Sequence, residues 1–589
     1  MSKKPYSIPG FLLPLVLAIV LYSRTLGYYI AGDDLCIVDR AIHSGPWWSL
    51  YIGRDTLRQL LETEEFQGDV EVAGSDIFRP GLIWFYKAGY ALFGRWDTGY
   101  RILYIVTILC FACCAGAVTT RIVAPGNPWI MPVTACLLLV NPRVQYLATF
   151  QTCEAQSFAA ATFVCAGAIA HDNWAASGNR RWLAVSAGLL ALGLCFRENA
   201  VVLLVFAPLL DLLRRRSLRV NWRAWAVYGS VMTSYFVLRL TYYGGTLGNY
   251  QGFRAQEQYA HIVYHVRSTL PDVVASLPGS ALACQIGHRR LLMVVLAGAL
   301  VLLWLSRRPS VTMRSAGLLV LGAYLAFGPG YMTSLFPSHE LLPAILFVSA
   351  LLVLTLSARP TPAARRRTRL VFLVGCLSVW GTYLANSVCY YVEWGVGTRK
   401  DVLAQTVRKS IREGIESLNG SGDRRKLVIC LLCPVSTRFC YYENSMAPAI
   451  GFWTDQRCEG HSLFWFKPAS FFAPSDIKIE RIAGNRFTLY FRNCVFLPPQ
   501  TVNFGPHLWN ETIDVVLTRR QSETEFHTAT ITISPCRMRE FERTYVIAHD
   551  GKEFIYCQEA FQAPVANRAP DDKPHRRSPP ASHKPQEVE

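Results

Sequence analysis

The sequence predicts a polytopic α-helical membrane protein with a C-terminal extracytoplasmic α/β domain, and three observations predict it. The chain of 589 residues is 51% hydrophobic and only 17% charged, too apolar for a soluble protein of this length. About eleven apolar windows, each long enough to cross about 30 Å of hydrocarbon, run from residues 9–30 to residues 370–391. Past Tyr391 these windows stop, and short alternating runs bounded by Gly, Pro and Asn begin. The implied organisation is a transmembrane domain over 1–391, a soluble domain over 392–563 and a disordered tail over 564–589.

The first window, Phe11 to Leu21, follows Lys3 and Lys4 as the core of a signal peptide would, but no small-residue cleavage site comes after it. It reads as an uncleaved first span with a cytoplasmic N-terminus. Counting on from there puts four arginine clusters inside: Arg180 with Arg181, Arg214 to Arg216 with Arg219 and Arg223, Arg307 with Arg308 and Arg314, and Arg365 to Arg367 with Arg369. The net charge of +18 therefore marks topology and does not imply a nucleic-acid partner.

The outer loops differ. Residues 31–78 carry ten acids against three bases and predict a surface helix over Arg54–Glu65, where Leu57, Leu60 and Leu61 form an apolar stripe. The aromatic-rich segment Phe78–Gly94 predicts a second amphipathic helix at the interface. The outer loop 243–288 holds His261, His265 and His288, spaced too loosely and too far from other ligands to read as a metal site.

Eleven cysteines scattered through the membrane part read as small apolar filler. The seven beyond it, Cys430, Cys433, Cys440, Cys458, Cys494, Cys536 and Cys557, predict disulfides of unassigned pairing in an oxidising compartment. The soluble part predicts a helix over Lys400–Leu418, then strands over Lys426–Leu432, Phe487–Phe491, Ile513–Leu517 and Thr528–Ile533.

Polar residues recur where the predicted spans reach the outer face. These are Asp33 and Asp34 after the first span, Arg79 and Pro80 before the second, and Asn141, Pro142 and Arg143 with Glu154 between the third and fourth. Arg197 and Glu198 follow between the fifth and sixth, and His339 and Glu340 with Pro343 between the ninth and tenth. Charge at the edge of hydrocarbon costs free energy, so its recurrence on one side points to a site. Plainer readings stand beside it: Arg79 and Pro80 as a helix start, Glu154 as a solvated loop acid, Arg197 and Glu198 as a paired turn.

Through Gly32, Asp33 and Asp34, then Phe78, Arg79 and Pro80 followed by Tyr90 to Gly94, then Phe196 to Ala200 and His339 to Pro343, the chain resembles the GT-C superfamily of membrane glycosyltransferases. The branch it resembles holds protein O-mannosyltransferases and bacterial enzymes that use polyprenyl-phosphate sugars, and the resemblance covers roughly residues 10–360. It implies inverting transfer of a sugar from a polyprenyl-phosphate donor to a lipid, glycan or protein acceptor. Asp33 or Asp34 would act as catalytic base or metal ligand, and Glu154 as the second acid.

Arg79, Arg197 and His339 would bind the donor phosphate, supported by Glu198 and Glu340. The resemblance also implies that a Mg or Mn ion would use Asp33, Asp34 and Glu154. The chain departs from the pattern at His339, where relatives carry Arg, and at Asn141, where they carry His. A transporter or flippase, the rival class, would place its charges midway along paired spans; a non-catalytic scaffold would tolerate loss of Asp33 and Asp34. Short Arg-rich loops and no retention signal point to a bacterial inner membrane.

Overall fold

In the computed structural model the described residues are 8–28, 30, 33–43, 79–149, 152–215 and 222–242, isolated positions between 319 and 453, and strands between 426 and 562. The helix expected at Arg54–Glu65, the 243–288 loop, His339, Glu340 and the side chains of the C-terminal cysteines lie outside the described residues. So does the helix expected at Lys400–Leu418, apart from Arg412.

Helix α1 (Ile8–Tyr22) runs on into a 3-10 turn, Ser23–Gly27. Pro14, Ala18 and Tyr22, four residues apart, turn inward, whereas Phe11, Leu12, Leu13, Val16, Ile19 and Val20 are exposed. An outward face made of such side chains suits lipid and not water. Helix α2 (Asp33–His43) begins where the sequence reading placed a loop, with Leu35 and Val38 buried.

Helix α3 (Pro80–Phe93) starts on Pro80, whose missing N–H costs nothing in a first turn, and ends at Gly94 with φ 56°. It is the amphipathic helix expected there. Helix α4 (Asp97–Val123) is 27 residues and about 40 Å long, enough to span a bilayer. Its neighbour α5 (Ile130–Leu139) has only ten residues.

The third expected span, residues 129–148, is thus divided in two. A helix cannot pass Pro142 without losing a backbone bond, and the chain restarts there as α6 (Pro142–Thr149). Helix α4 packs against α5 so closely that a Cβ on Gly116 would meet the Met131 carbonyl oxygen at 2.5 Å. A 3-10 turn, Thr152–Glu154, leads into α7 (Ala155–Ser177), and together they make the second described helix long and apolar enough to cross a membrane.

Gly178 closes α7 at φ 70°, and the Asn179 side chain then accepts from the Arg181 amide at 3.0 Å to open α8 (Arg180–Phe196). This Gly and Asn pair makes a tight hairpin. Another 3-10 turn, Glu198–Val202, joins α8 to α9 (Leu203–Arg215), and α10 (Trp222–Tyr242) follows. In α10, Ala224, Tyr228, Tyr235 and Arg239 are buried along one stripe while Trp222, Phe236, Val237 and Leu238 face out.

Tyr22, Tyr86, Tyr100, Tyr104, Phe111, Phe158 and Phe206 are the largest apolar side chains fully enclosed in the core. At the end of the helices reached by the arginine-rich loops, Arg121 bonds Asp172 at 2.7 Å. Nearby, His171 lies between Tyr228 (2.9 Å) and Asp211 (3.1 Å), and Tyr228 meets Ser186 at 2.7 Å.

The described C-terminal strands form three sheets. Strand Lys426–Cys430 lies parallel between Arg543–His549 and Cys458–Ser462, with Phe554–Gln562 antiparallel to Arg543–His549. An antiparallel sheet orders Ile477–Ala483, Arg486–Phe491, His527–Ile533 and Ile513–Thr518, and a small one joins Cys433–Pro434, Trp465–Pro468 and Cys494–Leu497. Arg412 pairs with Asp97 at the start of α4, and Phe452 meets the Tyr100 ring edge-on at 6.3 Å between centroids.

Candidate functional site

The 3-10 turn Thr152–Glu154 and the first turn of α7 organise the polar groups at the other end of the helices. Asp34, on the first turn of α2, is 0% exposed and points its carboxylate at this turn. Its Oδ1 accepts from the Cys153 amide at 2.6 Å and from the Tyr86 hydroxyl at 2.8 Å; its Oδ2 accepts from the Thr152 amide at 2.9 Å. Three donors on one carboxylate satisfy amides that the start of the 3-10 turn would leave open. Burial, and then the charge of Asp34, push the Tyr86 phenol well above its usual range, so it stays a donor.

Glu154 is buried too, which removes the plain reading of a solvated loop acid. Its Oε2 accepts from Ser157 at 2.6 Å and lies 3.5 Å from Arg197 Nη1, which also bonds Ser157 Oγ. Arg197 is itself buried. Glu198, next in the chain, takes different partners: Arg79 at 3.2 Å on Oε2 and Arg239 at 2.7 Å on Oε1. Arg197 and Glu198 are therefore no paired turn; each is tied to another helix.

Arg79 also donates to Gln156 Oε1 at 2.9 Å, while Pro80 begins α3, so it both opens a helix and binds two others to it. Burial alone would raise the Glu198 carboxyl; the Arg79 and Arg239 guanidiniums outweigh it and hold the group down at about 2. Glu198 is ionised at any working pH and fixes both arginines.

The expected residues Asp34, Arg79, Glu154, Arg197 and Glu198 thus converge, linked by the stretches 152–157 and 197–198. Asp33 opens α2 beside Asp34, with its side chain outside the described residues, as His339 and Glu340 are entirely. The sequence reading missed Tyr86, Thr152, Gln156, Ser157 and Arg239. Only Arg239 carried a signal, as a charge inside an otherwise apolar window.

No three His, Cys, Asp or Glu side chains converge as metal ligands among the described residues. Asp34 and Glu154 do not suit a divalent cation as they stand. N–H and O–H groups point at both Asp34 oxygens, and the cationic Arg197 sits beside Glu154.

No protein-family model matches the chain, and no curated protein matches it. Among solved structures it is similar to ArnT from Cupriavidus metallidurans bound to undecaprenyl phosphate, with 13% identity and a TM-score of 0.41, over 78% of this chain and 86% of that one. The apo state of the same protein superposes with a TM-score of 0.39 and 13% identity, over 76% of this chain and 84% of that one.

Proposed function

We propose that the protein is an inverting glycosyltransferase that moves a sugar from a polyprenyl-phosphate donor to a lipid, glycan or protein acceptor on the extracytoplasmic face of a membrane. One observation carries the reading: three carboxylates and three guanidiniums gather at one end of otherwise apolar helices, in one linked network. Stability alone does not call for so costly an arrangement in or beside hydrocarbon, and its place at one end of the helices is that of a site serving the interface.

Inverting transfer needs a base for the acceptor hydroxyl and positive charge near the departing phosphate. Asp34 has both oxygens taken by protein donors and is sealed from solvent, so it holds the turn that carries Glu154. We assign the base to its neighbour Asp33. Glu154 and Glu198 orient Arg197 and Arg79 on the phosphate side, a task suited to a rigid guanidinium fork. The chain would sit in a bacterial inner membrane, N-terminus inside and C-terminal domain outside.

The test is transfer of labelled sugar from a polyprenyl-phosphate donor in membranes that contain the full chain. Asp33→Asn should abolish transfer while the protein still accumulates and melts as the wild type does. Full transfer by that variant would overturn the assignment of the base, and no transfer by the wild type with any polyprenyl-phosphate sugar would overturn the function.

A further inference from the structure

Arg79, Arg197 and Arg239 each have a carboxylate partner, but Arg101, on the second turn of α4, has none. Its side chain is 0% exposed, and Nε, Nη1 and Nη2 all lack a hydrogen-bond acceptor among the described residues. Asp97, one turn earlier and well placed for an i, i+4 pair, is held by Arg412 instead. The guanidinium carbon lies over the Tyr28 ring, 5.5 Å from its centre. A cation–π contact of that kind leaves the five N–H donors of a guanidinium unspent.

A buried cation without an acceptor is among the costliest things a fold can hold, so a partner is implied. Its position says which. Tyr28 follows the first helix and its 3-10 turn, and Tyr100, next to Arg101 in the chain, lies 6.1 Å ring to ring from Tyr86, whose hydroxyl donates to Asp34. Arg101 thus borders the network without belonging to it.

We infer that Arg101 is the receptor for an oxyanion of the phosphate class, its fork taking two oxygens while Tyr28 backs the guanidinium. This deepens the proposed function and rests on it for the source of the phosphate, which would be the lipid donor. It adds to the roles of Arg79 and Arg197: each of those engages a carboxylate through its N–H groups, whereas the Arg101 fork engages none among the described residues and is open to take phosphate oxygens directly.

The experiment is thermal melting and direct binding of the full-length protein in detergent or nanodiscs, with a polyprenyl phosphate, the matching polyprenol, and inorganic phosphate as three separate probes. For the wild type, the phosphorylated lipid should raise the melting temperature and the polyprenol should not. Arg101→Met should melt at or above the wild-type temperature without ligand and bind the phosphorylated lipid about tenfold or more weakly, as the loss of one charge-assisted pair implies. Should Arg101→Met not accumulate, Arg101→Lys keeps the charge without the fork and should also bind about tenfold more weakly.

Wild-type affinity in both variants would overturn the inference and leave the transferase reading standing. A wild-type response to inorganic phosphate alone, lost in Arg101→Met, would support the anion site and count against the lipid donor. No response of the wild type to either phosphate probe would overturn the site.

Discussion

Asp34 is held by three donors on its carboxylate. Replacing it by Asn keeps the shape, but one acceptor oxygen becomes an NH2 that faces an amide N–H. Asp34→Asn should therefore lower the thermal stability of the detergent-solubilised protein by about 2 kcal/mol, through a buried donor left unmet. Asp33→Asn should leave the melting temperature unchanged while transfer falls by a factor of about 100 or more. If the two variants swap behaviours, the division of labour between the two aspartates is wrong.

Glu198 is a third case. Its carboxyl is held at about 2, against 4.5 ordinarily. A depressed carboxyl stabilises the fold above its unfolded value and loses that contribution as pH falls through the folded one. Glu198→Gln should thus cost about 3 kcal/mol near neutral pH, for two largely buried arginines that lose the carboxylate they share. The gap between wild type and variant should close as melts are repeated from about pH 4.5 down to about 2; a gap that stays constant across that range would contradict the charge state assigned to Glu198.

Among elements, α4 meets the backbone of α5 closely at Gly116. A methyl there meets backbone, which cannot swing aside as a side chain can. Gly116→Ala should destabilise the protein by about 2 kcal/mol, whereas Gly229→Ala, with nothing within 4 Å of the added carbon, should be neutral or better within a helix. Melts of the two variants side by side check this, and equal melting would mean that α4 and α5 sit further apart.

Much of this level was legible in the sequence. Pro80 placed the start of α3, and apolar windows located α4 and α7, because burial and chain stiffness act over neighbouring residues. The break at Pro142 was visible too, but a hydropathy window averages across it and reports one span where there are two short helices. The same averaging hid Arg101 and Arg239, single charges absorbed by apolar surroundings. Gln156, Ser157 and Tyr86 were out of reach for another reason: they are common residue types whose roles come only from what the fold brings against them. Asp33 and Asp34 were legible as a pair but not as individuals, since telling them apart needs the Thr152 and Cys153 amides, more than a hundred residues away.

For the molecule as a whole, the asymmetry between the two ends of the helices is the feature to test. One end holds the linked carboxylates and guanidiniums, and the other holds the Arg121 and Asp172 pair and the His171, Asp211 and Tyr228 contacts. Between them the outward surfaces of α1 and α10 are apolar. If lipid surrounds that band, the two ends face different compartments, and the positive arginine clusters mark the cytoplasmic one.

Trp96, exposed beside the start of α4, then lies outside, and Ala176, exposed near the Gly178 turn, lies inside. With single cysteines placed at these positions, a membrane-impermeant maleimide should label Trp96→Cys but not Ala176→Cys in right-side-out vesicles, and the reverse in inverted ones. Labelling at each position is read as the increase over the parent chain with its native cysteines, seven of which lie in the C-terminal part. Labelling of both positions from one side would mean that the helices do not cross the bilayer. A reversed pattern would put the network in the cytoplasm and remove the extracytoplasmic reaction.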